Sequence, residues 1–262
     1  AEPPAAQEAD EDRAAYYDRA VSRLGWCIKN FGGYQKKIMR DVFFEAFETY
    51  ETGCAPVIQE LARGVAPEQQ TQLLGRAAAA MLDELEAGWQ KKGDMEDEKI
   101  VLAIFFVPMV RKQQLPISEE FVTILQKQWV ERYPKSPFYL GDYESISGGF
   151  RKKFLGLCFI TTAVCQELGK PDDCEELTAF RAFRDGYLRS QPDGEALIRE
   201  YYNIAPGIVT CINTCSDRHA SYARIREEYL APCYQDLLAG RNESCKARYV
   251  RMVRDLEREY LS

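Results

Sequence analysis

The residues whose types and spacing could do chemistry concentrate between Arg151 and Gly207. That stretch holds three of the nine cysteines (Cys158, Cys165 and Cys174), an Arg–Asp–aromatic run, and the pair Tyr201-Tyr202. Thiols offer redox exchange or metal ligation. On one continuous helix, seven residues at about 1.5 Å each would part Cys158 from Cys165 by about 10.5 Å. Sulfurs sharing a zinc lie within roughly 4 Å of one another, so these two cannot serve one ion from such a helix. Cys165 and Cys174 instead flank the turn Gly169-Lys170-Pro171-Asp172-Asp173 and can approach each other. A metal or a larger thiol site would need partners from elsewhere, for which Cys233 and Cys245 are the candidates. The plainer reading of the cysteines is as buried, reduced packing residues, because no CxxC occurs and a chain this long builds its own core.

A second constellation is the helix after the turn. Leu177, Phe180, Phe183 and Tyr187 fall on its core face, and Arg181, Arg184 and Asp185 on the other. Arg181 and Asp185 have the i,i+4 spacing of a helical ion pair. With Tyr202 they make a candidate face for an anionic ligand, an anionic substrate or a partner peptide; the simpler alternative is a solvated face or a tie between helices. The single histidine, His219, excludes two-histidine zinc hydrolases. Neither a phosphate-binding GxxxxGK[ST] loop, nor GxGxxG, nor the paired ExxH of di-iron bundles is present. No catalytic residue, metal or cofactor is therefore expected.

Composition narrows the partners. Charged residues make up 29% of the chain and apolar ones 46%, with a net charge of −7. A nucleic-acid binder should carry a basic face, and the basic clusters here are short, so no nucleic acid is expected. The longest apolar run, Ile100 to Val110, has eleven residues against the roughly 20 of a bilayer span. It reads as a buried core helix with a kink or break at Pro108. Residues 1–12 hold five carboxylates and no base, which points to a disordered lead and not to a signal peptide. Reduced thiols and the absence of a span point to the cytoplasm.

Helical periodicity dominates what must position these residues. Tyr34 to Tyr50 is expected as one helix stopped by Gly53, followed by a short segment near Pro56. Pro67 opens a long helix that closes at Gly93, and Ser118 caps another running to about Arg132. Residues 133–149, rich in Pro, Gly and Ser, read as a connector. Phe150 to Leu168 is expected as an unbroken buried helix whose Thr161 and Thr162 hydroxyls bond back one turn. A short helix over Pro206 to Ser216 and a final one from Asn242 follow. The fold class is all-α, a multi-helix bundle of two packed layers or subdomains. Its parts are the acidic lead 1–12, an N-terminal subdomain 13–132, the connector 133–149 and a C-terminal subdomain 150–262.

Three segments carry a resemblance: CFITTAVC, KPDDCEELTAFRAFRDGYL and DGEALIREYYNIAPGIV. They resemble the CFI-box (CFI-box-CTERM) family of bacterial proteins, named for the triplet that stands here as Cys158-Phe159-Ile160. The likeness extends from about Gly141 to Leu261, through YESISGGFRKK, EYLAPCYQDLLAG and YVRMVRDLEREYL. It departs from the shorter Cys-Phe-Ile-Ala-Thr-Ala form at Thr161-Thr162, at Cys165 and at the inserted KPDDC. The resemblance implies a bacterial source and no particular activity. The residues themselves suggest a non-catalytic helical module that presents a groove, near the connector, to a protein or peptide partner. The competing reading is a thiol-based redox or metal-responsive protein working through Cys165 and Cys174 with Cys233 or Cys245.

Overall fold

The structure, a computed structural model, describes residues 4–151 and 158–262. Every regular element among the described residues is helical and none is a strand, so the protein is an all-α multi-helix bundle. It forms two compact units, Ala1–Gln35 with Glu45–Ile146, and Lys36–Phe44 with Ser147–Ser262.

The first unit is built from α1 (Pro4–Leu24), α2 (Trp26–Lys29), most of α3 (Phe43–Gly64), α4 (Gln70–Gly88), α5 (Lys92–Val101), α6 (Val107–Lys112) and α7 (Ser118–Arg132). α1 takes in most of the acidic lead; residues 1–3 lie outside the described residues. α4 packs against both α1 and α7. A Cβ on Gly64 would fall 2.3 Å from the Tyr17 backbone nitrogen, so glycine permits the end of α3 to cross α1. α3 runs straight through Gly53 and Pro56, where a stop and a new segment were expected. A proline inside a helix costs about 3 kcal/mol. The buried stripe Phe47, Tyr50, Cys54, Val57, Ile58 and Leu61 outweighs it, since each large apolar side chain contributes about 1.5–3 kcal/mol on burial. At Pro108 the expected disruption takes the form of a π turn, Leu102–Phe106, immediately before α6. The same device, Arg226–Leu230, precedes Pro232. A proline ring clashes with the carbonyl one turn back, and the wider turn relieves that crowding without breaking the helix axis. Lys99, 3% exposed, is satisfied by Ser136 Oγ at 2.7 Å and Glu96 Oε2 at 2.5 Å.

The second unit contains most of α8 (Tyr143–Arg151), then α9 (Phe159–Glu167), α10 (Glu175–Phe183), α11 (Gly194–Cys215), α12 (Arg218–Ile225), α13 (Ala231–Leu238) and α14 (Asn242–Tyr260). α11 is its central helix, lying against α9 and α14, while α13 pairs with α14 and α10. α8 occupies part of the stretch read as connector. Its start is fixed by Asp142, whose carboxylate accepts from the Ser145 backbone N–H and hydroxyl, both at 2.8 Å. That cap is obscured in sequence by the surrounding Gly and Ser. Residues 152–157, which fall within the helix expected from Phe150 to Leu168, lie outside the described residues. Cys158 is not helical (φ −108°, ψ 79°), and α9 begins after it, so the expected unbroken helix is corrected at that point. α11 continues through Pro206 as one helix, where a new helix was expected to begin.

The segment Lys36–Phe44 belongs with this unit because it lies along α11. Arg40 N donates to the Asn203 carbonyl at 3.0 Å, and Asp41 N to Asn203 Oδ1 at 3.0 Å. The helix expected over Tyr34–Tyr50 is therefore broken: a 3₁₀ turn covers Tyr34–Lys37 and α3 starts only at Phe43. Phe43 stacks on Phe150 with ring centroids 4.3 Å apart. A Cβ on Gly207 would meet the Ile38 carbonyl oxygen at 1.8 Å, a separation no side chain tolerates. Gly207→Ala should therefore destabilise this unit by about 1–3 kcal/mol or more through overpacking. Urea unfolding followed by circular dichroism measures it, and an unchanged midpoint would contradict the close approach.

Candidate functional site

Three features singled out in the sequence meet in the second unit. The backbone N–H of Ile160 donates to the Tyr201 hydroxyl at 3.0 Å. Phe159 packs edge-on to Tyr202 at 6.0 Å between centroids. Arg184 Nη1 reaches Cys158 Sγ at 3.4 Å. The triplet Cys158-Phe159-Ile160 thus touches the tyrosine pair with two residues and the Arg–Asp motif with the third. The first turn of a helix has N–H groups without intrahelical partners, and the Tyr201 hydroxyl supplies one of them.

Arg184 is only 7% exposed. Asp185 grips it through two bonds, Nε to Oδ1 at 2.8 Å and Nη2 to Oδ2 at 2.7 Å. Sequence neighbours on an α-helix do not face each other, and this pair forms where α10 passes into the π turn Arg184–Leu188. The expected Arg181–Asp185 pair is replaced. Arg181 turns back to Asp172, donating to its carbonyl at 2.7 Å and its carboxylate at 2.8 Å. The four residues of the candidate anion face therefore divide. Arg181 ties the turn, Arg184 and Asp185 neutralise each other, and Tyr202 is buried. The Arg184 guanidinium holds the Asp185 carboxyl below its usual range. Burial pushes the Cys158 thiol up, against the opposing pull of Arg184 and Arg181, so its sulfur stays a neutral thiol.

Cys158 and Arg184, with Tyr201, line part of a cleft between α10, α11 and α14. Phe183, Leu197 and Val253 wall it, and Arg254 and Glu200 stand at its rim. Its volume is about 50 Å³. A cavity needs about 10–15 Å³ to hold one water, so there is room for a small apolar group and none for a nucleotide. Arg254 is 56% exposed and held only loosely to Glu200, at 3.5 Å. No sequence signal pointed to Arg254 or to Tyr201 as the Ile160 acceptor, because both contacts join residues far apart along the chain.

The candidate thiols form two pairs. Cys174 Sγ lies 3.8 Å from Cys165 Sγ. Cys233 Sγ donates to the Cys245 backbone carbonyl at 3.9 Å, and Cys54 Sγ to the Cys27 carbonyl at 3.9 Å in the first unit. In the two latter pairs the shared thiol contact, followed by burial, drives Cys245 and Cys27 upward. Among the described residues no three His, Cys, Asp or Glu side chains gather as metal ligands, so the late cysteines do not join Cys165 and Cys174 in one ligand set. His219, 80% exposed, pairs with Glu167 on the surface. Thr161 Oγ1 lies 3.3 Å from the Tyr249 hydroxyl, a partner outside its own helix. Comparison of the chain with family models, curated proteins and solved structures gives no match.

Two outcomes follow from this geometry. Tyr201→Phe leaves the buried Ile160 N–H without its acceptor and should cost about 1–3 kcal/mol in urea unfolding. Asp185 is an anion with a lowered folded-state value, so its contribution is present above the unfolded carboxylate range of about 3.9 and disappears as pH falls through the lower folded value. Asp185→Asn should therefore be less stable than wild type at neutral pH and converge with it in strong acid. Parallel stability–pH curves would refute the ion pair.

Proposed function

We propose that the second unit is a non-catalytic helical docking module of a bacterial protein. Its cleft between α10, α11 and α14 receives an apolar side chain from a protein or peptide partner, and a carboxylate next to that side chain meets Arg254. The observation that carries this reading is the cleft itself: apolar walls, a volume of about 50 Å³, and an exposed, weakly paired arginine at the rim. The polar groups in its lining support binding over chemistry, because Arg184 is neutralised by Asp185 and Cys158 is held as a thiol. The outward arginines of α14, Arg251 and Arg258 among them, extend the preference for acidic flanking residues. A cytoplasmic setting accords with eight of the nine thiols lying buried as packing residues.

Selection from a peptide display library on the full chain tests this directly. Enriched peptides should share an apolar residue beside Asp or Glu. Their affinity should fall tenfold or more in Leu197→Asp, about 1.4 kcal/mol, and by less in Arg254→Ala. Lys127→Ala, in the first unit, should leave binding unchanged. No enrichment, equal binding to Leu197→Asp, or a dimer that this substitution dissolves would each overturn the assignment of the cleft to a peptide.

A further inference from the structure

We infer that Cys165 and Cys174 form a modification site, a dithiol that reacts with a small organic disulfide in the folded protein and closes a disulfide across residues 166–173. Three independent features point to it. The first is distance. Their sulfurs are 3.8 Å apart, in contact, and need only close to the about 2.05 Å of a disulfide bond.

The second is fixed placement of both ends. Cys165 lies near the end of α9, in a complete Schellman motif. Gly169 takes φ +67°, its N–H reaches the Gln166 carbonyl at 3.0 Å, and the Lys170 N–H returns to the Cys165 carbonyl at 2.9 Å. Such a motif satisfies the last carbonyls of a helix and sets the direction of the exiting chain. Cys174 is the N-cap of α10 in extended conformation (φ −60°, ψ 154°), and Arg181 clamps the preceding turn through Asp172. The turn therefore holds the two sulfurs together before any bond forms.

The third is access. Cys174 is the one cysteine of the nine that is not buried. The pairs Cys27/Cys54 and Cys233/Cys245 are also neighbours, each joined by a thiol-to-carbonyl contact at 3.9 Å, yet all four residues are fully enclosed. They act as internal controls in which proximity exists without an entry route.

The exchange has a defined order. Burial, then the Cys174 sulfur and Glu176, push the Cys165 thiol up to about 12, so the first attack falls to Cys174. Its thiolate sulfur attacks one sulfur of the small disulfide. That S–S bond breaks, a mixed disulfide forms on Cys174, and the departing thiolate takes up the proton that Cys174 released. Glu176 Oε2 lies 3.9 Å from Cys165 Sγ, held there by Lys170 at 2.7 Å, and is placed to take the Cys165 proton. The Cys165 sulfur then attacks Cys174 Sγ and expels the second small thiolate, which is protonated in turn. In total, two protein thiols give up two electrons and two protons, and the small disulfide becomes two thiols.

The test uses the folded full chain and oxidised glutathione, with thiols counted by alkylation and located by peptide mass spectrometry. Wild type should lose two of its nine thiols, retain no glutathione, recover both thiols on reduction, and yield a single cross-linked peptide joining Cys165 to Cys174. Cys165→Ser should stop at one glutathione retained on Cys174, and Cys174→Ser should keep its remaining Cys165 thiol unmodified. Persistence of all nine thiols in wild type, or earlier oxidation of Cys27/Cys54 or Cys233/Cys245 in protein with native circular dichroism, would overturn the inference. So would a wild-type pattern of loss in Cys165→Ser.

Discussion

Arg184 places a guanidinium almost entirely out of water, and the second unit is arranged to meet that constraint. Removing a charge from water costs several kcal/mol even after relaxation, unless it is paired and hydrogen-bonded. Asp185 answers with a two-pronged pair from the next residue along the chain, and Cys158 lends its sulfur to a remaining N–H. Holding Cys158 there sets where α9 begins, and the start of α9 in turn calls for the Tyr201 hydroxyl. The cleft is the space beside this assembly that the side chains of α10, α11 and α14 leave open. Its polar lining is closed on itself, and what remains accessible is apolar.

Helix identity was largely legible in the sequence, because apolar residues at three- and four-residue steps require a helix whatever the tertiary contacts. Helix boundaries were less so. Gly53, Pro56 and Pro206 are breakers by local propensity, yet α3 and α11 continue through them. Propensity terms of up to about 3 kcal/mol are overridden when the same helix face buries several large side chains, and that sum is visible only once packing is known. Tyr34 to Tyr50 failed in the opposite direction. Its periodicity is helical, but Arg40 and Asp41 find their hydrogen-bond partner in Asn203, which no local pattern announces.

The candidate site divides in the same way. The approach of Cys165 and Cys174 could be read from the turn chemistry of Gly169 and Pro171-Asp172-Asp173, since a reversal that tight brings its flanks together. The Arg–Asp motif could be recognised but not its pairing. The i,i+4 rule selects Arg181 for Asp185 in a regular α-helix, and the π turn at Arg184–Leu188 departs from that geometry. Cys158 was set apart from Cys165 by helical rise; its position at the N-cap, turned toward Arg184, is a tertiary outcome. Contacts such as Ile160 with Tyr201 join residues too distant in sequence for any spacing rule.

The docking of residues 38–41 onto α11 also has a temporal side. Asp41 waits for Asn203, 162 residues later. At about 5–20 residues per second of synthesis, the partner leaves the ribosome roughly ten to thirty seconds after the segment that needs it. Helices form in about a microsecond and chains of about 100 residues collapse within about 100 μs, so the first unit can collapse long before then with Lys36–Phe44 still unclaimed, carrying Ile38 and Phe43 in the open. A nascent chain in that state presents a short apolar handle to chaperones. For the same reason, a fragment beginning at Ser147 would fold with the Gly207 face of its central helix bare.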